Sequence, residues 1–345
     1  MDLSRSRFTS LMAPFLDGPE KLTRQQALDL LLWAEGALEE KGAAARDAQA
    51  WKHFLEETRH PRFLTALSQR SETLRWAEIT FRLVEDLDFS LGDLLAQRVN
   101  RQPDKVLFQD LSETGGGSWS YQQIFQRVRS NAAVFLKFGR QQFEGGVEGG
   151  QPSEVRVALL CENGIASACC DLACLTHDIF VSPLNIQFGI DDLAWIFDRL
   201  NITCAVCDHP ERLEKLLAIR EKTQRRFVIF TLNDCHRVGS NDIILLEECR
   251  ALLDNDEIES LLDKRTRRTM REVSTVMFTS GSTGRPKGVA FSQLNLVSKR
   301  FARAAALPEV GRDETLLCYL PLFHTFGRYL EMLGTIFWGG TYVFS

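Results

Sequence analysis

The chain predicts an α/β protein with a helical region ahead of it, on three observations. From Val155 to Phe230, apolar runs alternate with segments of helical periodicity, the order that builds a parallel, doubly wound sheet. Residues 1 to about 88 carry helical signals without that alternation. A strand-like run ending at Phe278 leads into a loop rich in glycine and hydroxyl residues. In an open α/β sheet this puts the loop outside the carboxyl end of a strand, where ligands bind.

In the first region, Thr23-x-x-Gln26 is a capping-box pattern. It precedes Ala27, Leu30, Leu31, Ala34 and Leu38 at helical spacing. Trp51 to Leu67 predicts another helix, and Trp76, Ile79, Leu83 and Leu87 mark the apolar face of a third. No catalytic motif falls here, so the region is expected to be an appended domain or interaction module. Beyond Phe89, Ser120-x-x-Gln123 caps a helix whose apolar face is Tyr121, Ile124, Phe125, Val128, Ala132, Phe135 and Leu136. Gly115-Gly116-Gly117-Ser118 before it reads as a β-turn, because no lysine or hydroxyl cluster accompanies it. Residues 145–150 and 233–240 are expected loops. Strands are expected at 155–160, 179–184, 202–207 and 227–230. Helices over 164–175, 193–200 and 210–222 separate them, and two acidic helical stretches lead to Val273.

With 345 residues, the chain is long enough for more than one domain, and 44% hydrophobic with 25% charged residues suits a soluble globular protein. A net charge of −5 gives no sign of the basic face that nucleic-acid binding needs, so no nucleic-acid partner is expected. The N-terminus lacks a signal-peptide core, and its longest early apolar stretch, Leu30 to Ala34, is too short to span a bilayer. The expectation is a cytoplasmic protein without an integral membrane segment. The nine cysteines then read as reduced thiols. Cys204-x-x-Cys207 with His209 has a metal-like spacing, yet no second ligand pair completes a zinc site. A buried strand with cysteine as a small hydrophobe is the favoured reading. Cys169, Cys170 and Cys174 read as close helix packing.

The loop itself is Phe278-Thr279-Ser280-Gly281-Ser282-Thr283-Gly284-Arg285-Pro286-Lys287-Gly288. Glycines let the backbone approach a ligand and take up positive φ. Consecutive N–H groups form an anion-binding concavity, and hydroxyls with an ammonium complete a polyanion site. It is not a Walker A loop, which needs four residues between its glycines and then Gly-Lys-Ser/Thr. Strand–loop–strand flanks are expected. The bland alternative is a solvated hairpin turn.

The run Thr279 to Gly288 resembles the phosphate-loop signature of the adenylate-forming (AMP-binding) superfamily, which includes acyl-CoA synthetases. Leu320-Pro321-Leu322-Phe323-His324-Thr325-Phe326-Gly327 resembles that family's next motif, beside the acyl pocket. The likeness runs from about Phe89 to Ser345. It implies residues 89–345 to be an incomplete N-terminal core of the adenylate-forming fold, with residues 1–88 as the appended helical region. It implies ATP and Mg²⁺, with coenzyme A or a carrier protein as acceptor and a small-molecule carboxylic acid as substrate. Thr279, Ser280, Gly281, Ser282, Thr283, Gly284 and Lys287 would hold phosphates, Thr283 would help hold Mg²⁺, and Lys287 would act as a mobile clamp. His324 is either an acyl-pocket residue or a satisfied core histidine. Phe326, Tyr329, Leu330, Leu333, Ile336 and Phe337 predict a packed helical stripe. Arg328 and Glu331 are expected on its solvated face as an i, i+3 pair.

The chain also departs from the family. Gln293 stands where members usually carry His, and the Tyr-Gly-x-Thr-Glu and Thr-Gly-Asp segments, the hinge and the lid lysine are absent. The apolar run Trp338 to Ser345 is expected to leave an unprotected sheet edge. The likeness thus implies a fatty or other hydrophobic acid activated by a complete enzyme, with this chain alone inactive. An amino-acid-activating domain is the nearest rival, and a nucleotide-binding or interaction module without catalysis is the alternative from another class.

Overall fold

The structure, a computed structural model, describes residues 10–13, 22–39, 43–112, 116–141, 154–234, 243–279 and 284–345. The expected loops at 145–150 and 235–240, and Gly115, lie outside them. Residues 10–13 are helical, and from Arg24 come helices α1 (Arg24–Leu38), α2 (Ala43–Arg46), α3 (Ala48–Thr58), α4 (Pro61–Leu64), α5 (Arg70–Asp86) and α6 (Leu91–Arg101). The Thr23–Gln26 capping box forms as expected, and Ala27, Leu30, Leu31, Ala34 and Leu38 are all buried. The helix expected over 51–67 is broken in two. Pro61 occupies the first position of α4, and His60 before it is extended, with φ −72 and ψ 142. Proline removes a donor and pushes its predecessor out of the helical region.

Strands β1 (Val106–Asp110) and β2 (Gly117–Ser120) and helix α7 (Tyr121–Gln141) follow. Next come β3 (Arg156–Leu160), α8 (Ile165–Thr176), β4 (Phe180–Pro183), α9 (Ile190–Leu200), β5 (Cys204–Cys207), α10 (Pro210–Thr223), β6 (Val228–Thr231) and β7 (Ile243–Leu245). After the short helices α11 (Leu246–Ala251) and α12 (Asn255–Asp263), β8 (Val273–Thr279) and β9 (Lys287–Ser292) lead into α13 (Gln293–Ala306). Among the described residues these strands make a seven-stranded sheet in the order β7-β6-β5-β3-β4-β8-β9. Every neighbouring pair is parallel except β8 with β9.

Helices cover this sheet on both faces, as the alternation predicts. Val157, Leu159, Val206, Val228 and Phe230 share one core with α7 and α8. Ala158, Leu160, Ala205 and Ile229 share the other with α9 and α10. Strands buried on both sides need apolar residues at every position, which is why β5 can be Cys-Ala-Val-Cys. Cys204 and Cys207 fall in opposite cores, so they cannot chelate one ion together. Burial pushes the Cys204 thiol up to about 12. His209 caps α10, its Nδ1 accepting from the Glu211 N–H at 3.4 Å. Cys169, Cys170 and Cys174 are fully buried in α8.

A second sheet corrects two expectations. Strand β10 (Thr315–Leu317), a π-helix (Phe326–Met332), α14 (Leu333–Trp338) and β11 (Thr341–Phe344) end the chain. The sheet order is β10-β11-β1-β2. Gly117 and Ser118 therefore lie in a strand and not in a turn. The expected bare edge at the terminal apolar strand is also not met, because β11 pairs on both sides, with β1 and β10. A partner strand more than two hundred residues away in sequence leaves no local signal.

The N-terminal helices continue into the larger core. Trp76 of α5 and Phe89 both meet Phe301 of α13, at 6.0 and 6.4 Å between ring centres. Lys52 of α3 pairs with Asp93 of α6 at 2.5 Å.

Candidate nucleotide and acyl site

The phosphate-loop candidate closes the β8–β9 hairpin, so the strand–loop–strand expectation holds. Ser280, Gly281, Ser282 and Thr283 lie outside the described residues; the two ends of the loop do not. Thr279 sits directly opposite Lys287 in the ladder, and its hydroxyl donates to the Lys287 carbonyl at 3.4 Å. Gly284 has φ +116 with open space where a Cβ would point. Its glycine is therefore required by backbone conformation and not by crowding. The Arg285 guanidinium lies 5.6 Å from the Trp195 ring of α9, and Pro286 is buried. Lys287 is exposed and in no ion pair among the described residues.

The Pro-Leu-Phe-His segment is held at the carboxyl end of β3. Asn163, just past that strand, donates from Nδ2 to the Leu320 carbonyl at 2.9 Å and accepts the Leu322 N–H at 2.8 Å. Leu322 and Phe323 then close a cavity of about 20 Å³ against Leu159 and Cys161 at the end of β3 and Pro183 and Leu184 at the end of β4. His324 is exposed, which removes its reading as a satisfied core residue. Its Nδ1 accepts the Phe326 N–H at 3.3 Å, which leaves the ring proton on Nε2. Phe326 stacks at 6.4 Å and is 55% exposed. The rest of the predicted stripe is packed, with Tyr329, Leu333, Ile336 and Phe337 buried.

Arg328 and Glu331 overturn the solvated-face expectation. Arg328 is 0% exposed. Its Nε donates to Asp171 of α8 at 2.7 Å and its Nη2 to the other oxygen of the same carboxylate. Its Nη1 donates to Thr275 of β8 at 2.8 Å and to the Tyr329 hydroxyl at 3.1 Å. Burial alone would lower the Arg328 pKa, but the Asp171 carboxylate and the Tyr329 oxygen outweigh it and hold it raised. Glu331 is buried too and accepts from the Tyr342 hydroxyl at 3.1 Å; burial pushes its carboxyl up. Helical spacing alone makes such a pair look solvent-facing. The backbone here is wound as a π-helix, with the Leu333 N–H reaching back to the Arg328 carbonyl, and Gly327, Arg328, Tyr329, Glu331 and Met332 are all buried in it. One sequence signal was available: Asp171 is the lone charge in the otherwise apolar α8, and a buried carboxylate needs a cation.

These contacts tie the two motifs together. Thr275 lies four residues before Thr279 in β8, or about 13 Å along a strand. Phe291 of β9 meets Tyr329 at 4.7 Å between ring centres. Gln293, where the family motif has His, is 2% exposed. Its Nε2 donates to the Leu175 carbonyl at 2.5 Å and its Oε1 accepts the Leu91 N–H at 3.2 Å. In this chain the position straps α6, α8 and α13 together.

The sequence pattern that describes the AMP-binding enzyme family matches residues 95–345. Long chain acyl-CoA synthetase 8 of Arabidopsis thaliana is 26% identical over 62% of this chain and 29% of its own length. Long-chain-fatty-acid–CoA ligase 5 of Rattus norvegicus is 26% identical over 63% of this chain and 31% of its own. The chain thus spans about a third of the length of these curated relatives. A candidate long-chain-fatty-acid CoA ligase from Rhodopseudomonas palustris shares the fold with a TM-score of 0.60 at 19% identity, covering 74% of this chain and 57% of that one. ATP-bound MatB from the same organism gives 0.55 at 21% identity, covering 74% and 45%. Among the described residues no helix is long and apolar enough to cross a membrane. With the signature-bearing hairpin at the carboxyl end of β8 and a family match over most of its length, this chain belongs to the AMP-binding enzyme family.

Proposed function

We propose that this chain supplies the pyrophosphate-holding part of a centre that activates a fatty or other hydrophobic carboxylic acid with ATP. The observation that carries this reading is the β8–β9 hairpin, with a hydroxyl at Thr279, an exposed ammonium at Lys287 and an open, positive-φ Gly284 around its loop. The names of the relatives matched, acyl-CoA synthetases and ligases, support the substrate class. An oxygen of the acid attacks the α-phosphorus, an acyl–O–P bond forms, and the bond to pyrophosphate breaks. Ser280, Ser282 and Thr283, with the Gly281 and Gly284 backbone, take the negative charge that builds on the leaving group. Lys287 follows that charge as a flexible cation. Mg²⁺, held with help from Thr283, would supply further charge neutralisation. A thiol such as that of coenzyme A then takes the acyl group and AMP leaves. His324 and Phe326, exposed beside the small cavity under Leu322 and Phe323, would border the entering acid.

Acid-dependent ATP–pyrophosphate exchange tests this reading. In a protein carrying the family's ribose-binding and lid segments as well, Lys287→Ala should lower exchange by about 10²-fold, the scale set by losing one transition-state donor. Unchanged exchange in that variant would remove Lys287 from the site.

A further inference from the structure

Where the N-terminal helices meet the rest of the chain there is a cavity that nucleotide chemistry does not use. It lies between α3, α4 and α6 on one side and the carboxyl end of α14 with the turn before β10 on the other. Its volume is about 30 Å³. Two buried groups in its wall make no hydrogen bond among the described residues: all three nitrogens of the Arg59 guanidinium, and the indole N–H of Trp338. Arg59 is 2% exposed and Trp338 7%. Both groups are donors that cannot accept.

A buried guanidinium without a partner is costly. The Phe337 ring, 5.2 Å from Arg59 Cζ, offsets part of this as a cation–π contact. The surroundings make the position harder to hold. Arg98, Arg101 and Arg312 line the same cavity, and burial, then the Arg98 charge, lowers the Arg59 pKa. Arg98 is engaged by the carbonyls of Ile336 and Phe337. The lining carboxylate, Glu56, already faces Arg101 at 3.6 Å. Glu57 behind it pairs with Arg101 and with Arg62. His60 is kept neutral, since burial and then the Arg62 charge push it down to about 4. Its Nδ1 accepts the Arg62 N–H, so the remaining ring nitrogen, Nε2, is a donor in the neutral ring.

We propose that this cavity binds a phosphate-class oxyanion, with the Arg59 guanidinium and the Trp338 N–H as buried donors and Arg312 at the mouth. A guanidinium presents the planar fork that phosphate oxygens match. The volume exceeds the ~10–15 Å³ needed by one ordered water and is too small for a whole nucleotide, so the ligand is free phosphate or the phosphoryl tip of a phosphomonoester. The site is remote from the candidate catalytic residues. Neither His324 nor Lys287 lines the cavity, and Trp338 stands at the far end of the helical run that begins at Phe326, beside His324. The bound anion bridges Arg59 on the N-terminal helices to Trp338 and Arg312 on the remainder, so occupancy holds the two parts together.

The test is thermal unfolding of the 345-residue chain titrated with inorganic phosphate, then with glycerol 3-phosphate, each against chloride at matched ionic strength. Ligand binding to the folded state should give a saturable rise in Tm. Arg59→Met, which keeps the volume and removes the charge, should weaken the apparent affinity at least tenfold. Arg312→Ala, at an exposed position, should weaken it at least threefold and keeps the test valid even if the first variant fails to fold. Titration in the Lys287→Ala background removes any share of the response that arises at the candidate phosphate loop; the share expected of the cavity remains there and is weakened by the two arginine variants. A response stronger for glycerol phosphate assigns a phosphomonoester; one equal or weaker assigns free phosphate. No saturable response to either compound, or a response that survives both arginine variants and disappears in Lys287→Ala, overturns the proposal.

Discussion

At the residue scale, the contact that most constrains this site is the buried Arg328–Asp171 pair with its Thr275 and Tyr329 hydroxyls. It joins the segment after His324 to α8 and to β8, the strand that leads into the candidate phosphate loop. A desolvated ion pair adds little net stability compared with apolar residues of the same shape, but removing one partner strands the other. Arg328→Met should therefore cost about 3–5 kcal/mol in urea unfolding, while Arg328→Met with Asp171→Leu should recover at least half of that loss. Equal losses in the single and double variants would mean that the pair is not what holds Arg328 in place. Nothing local in the sequence identifies the pairing: Arg328 has Glu331 one helical turn away, and Asp171 lies 157 residues earlier.

At the element scale, the π-helix from Phe326 to Met332 carries a close backbone approach at Gly327. A Cβ on Gly327 would lie 2.6 Å from the Leu320 carbonyl oxygen and 2.7 Å from that of Pro321. Those are backbone atoms of the very segment that Asn163 fastens to β3. Gly327→Ala should displace that segment and destabilise the protein by about 1–3 kcal/mol, as overpacking does. Gly334 in α14 is the control, because its would-be Cβ meets the edge of a Trp338 side chain at 3.0 Å. Gly334→Ala should be near neutral, helix propensity compensating for the contact. If the two variants melt alike, the close approach at Gly327 carries no weight. The presence of glycines here was visible in the sequence. Which of them faces a backbone carbonyl was not, because that depends on how the Pro-Leu segment folds back over the helix.

At the scale of the whole molecule, the N-terminal helices and the AMP-binding core share one continuous set of buried residues. Trp76, Phe89, Phe301 and Phe337 form the aromatic part of that junction. Urea unfolding followed by tryptophan fluorescence and far-UV circular dichroism should therefore show one coincident transition. Two separated transitions would make residues 1–88 an independently folding module. The central sheet was legible from residue pattern except for its short edge strand β7, Ile243–Leu245, which falls where only acidic helical stretches were expected. Runs such as Val157-Ala158-Leu159-Leu160, buried on both faces, and the amphipathic α9 and α10 state their own conformation through period and composition. The family was legible in the run Thr279–Gly288, whose glycine, hydroxyl and lysine chemistry is intrinsic to the residues. Tertiary structure alone decided what depends on distant partners. It paired β11 with β1 and β10, buried Arg328 and Glu331, turned Gln293 into a strap and left the Arg59 guanidinium without a hydrogen-bond partner among the described residues beside Trp338. Periodicity records which way a side chain faces from its own backbone; only the packed chain determines what stands opposite it.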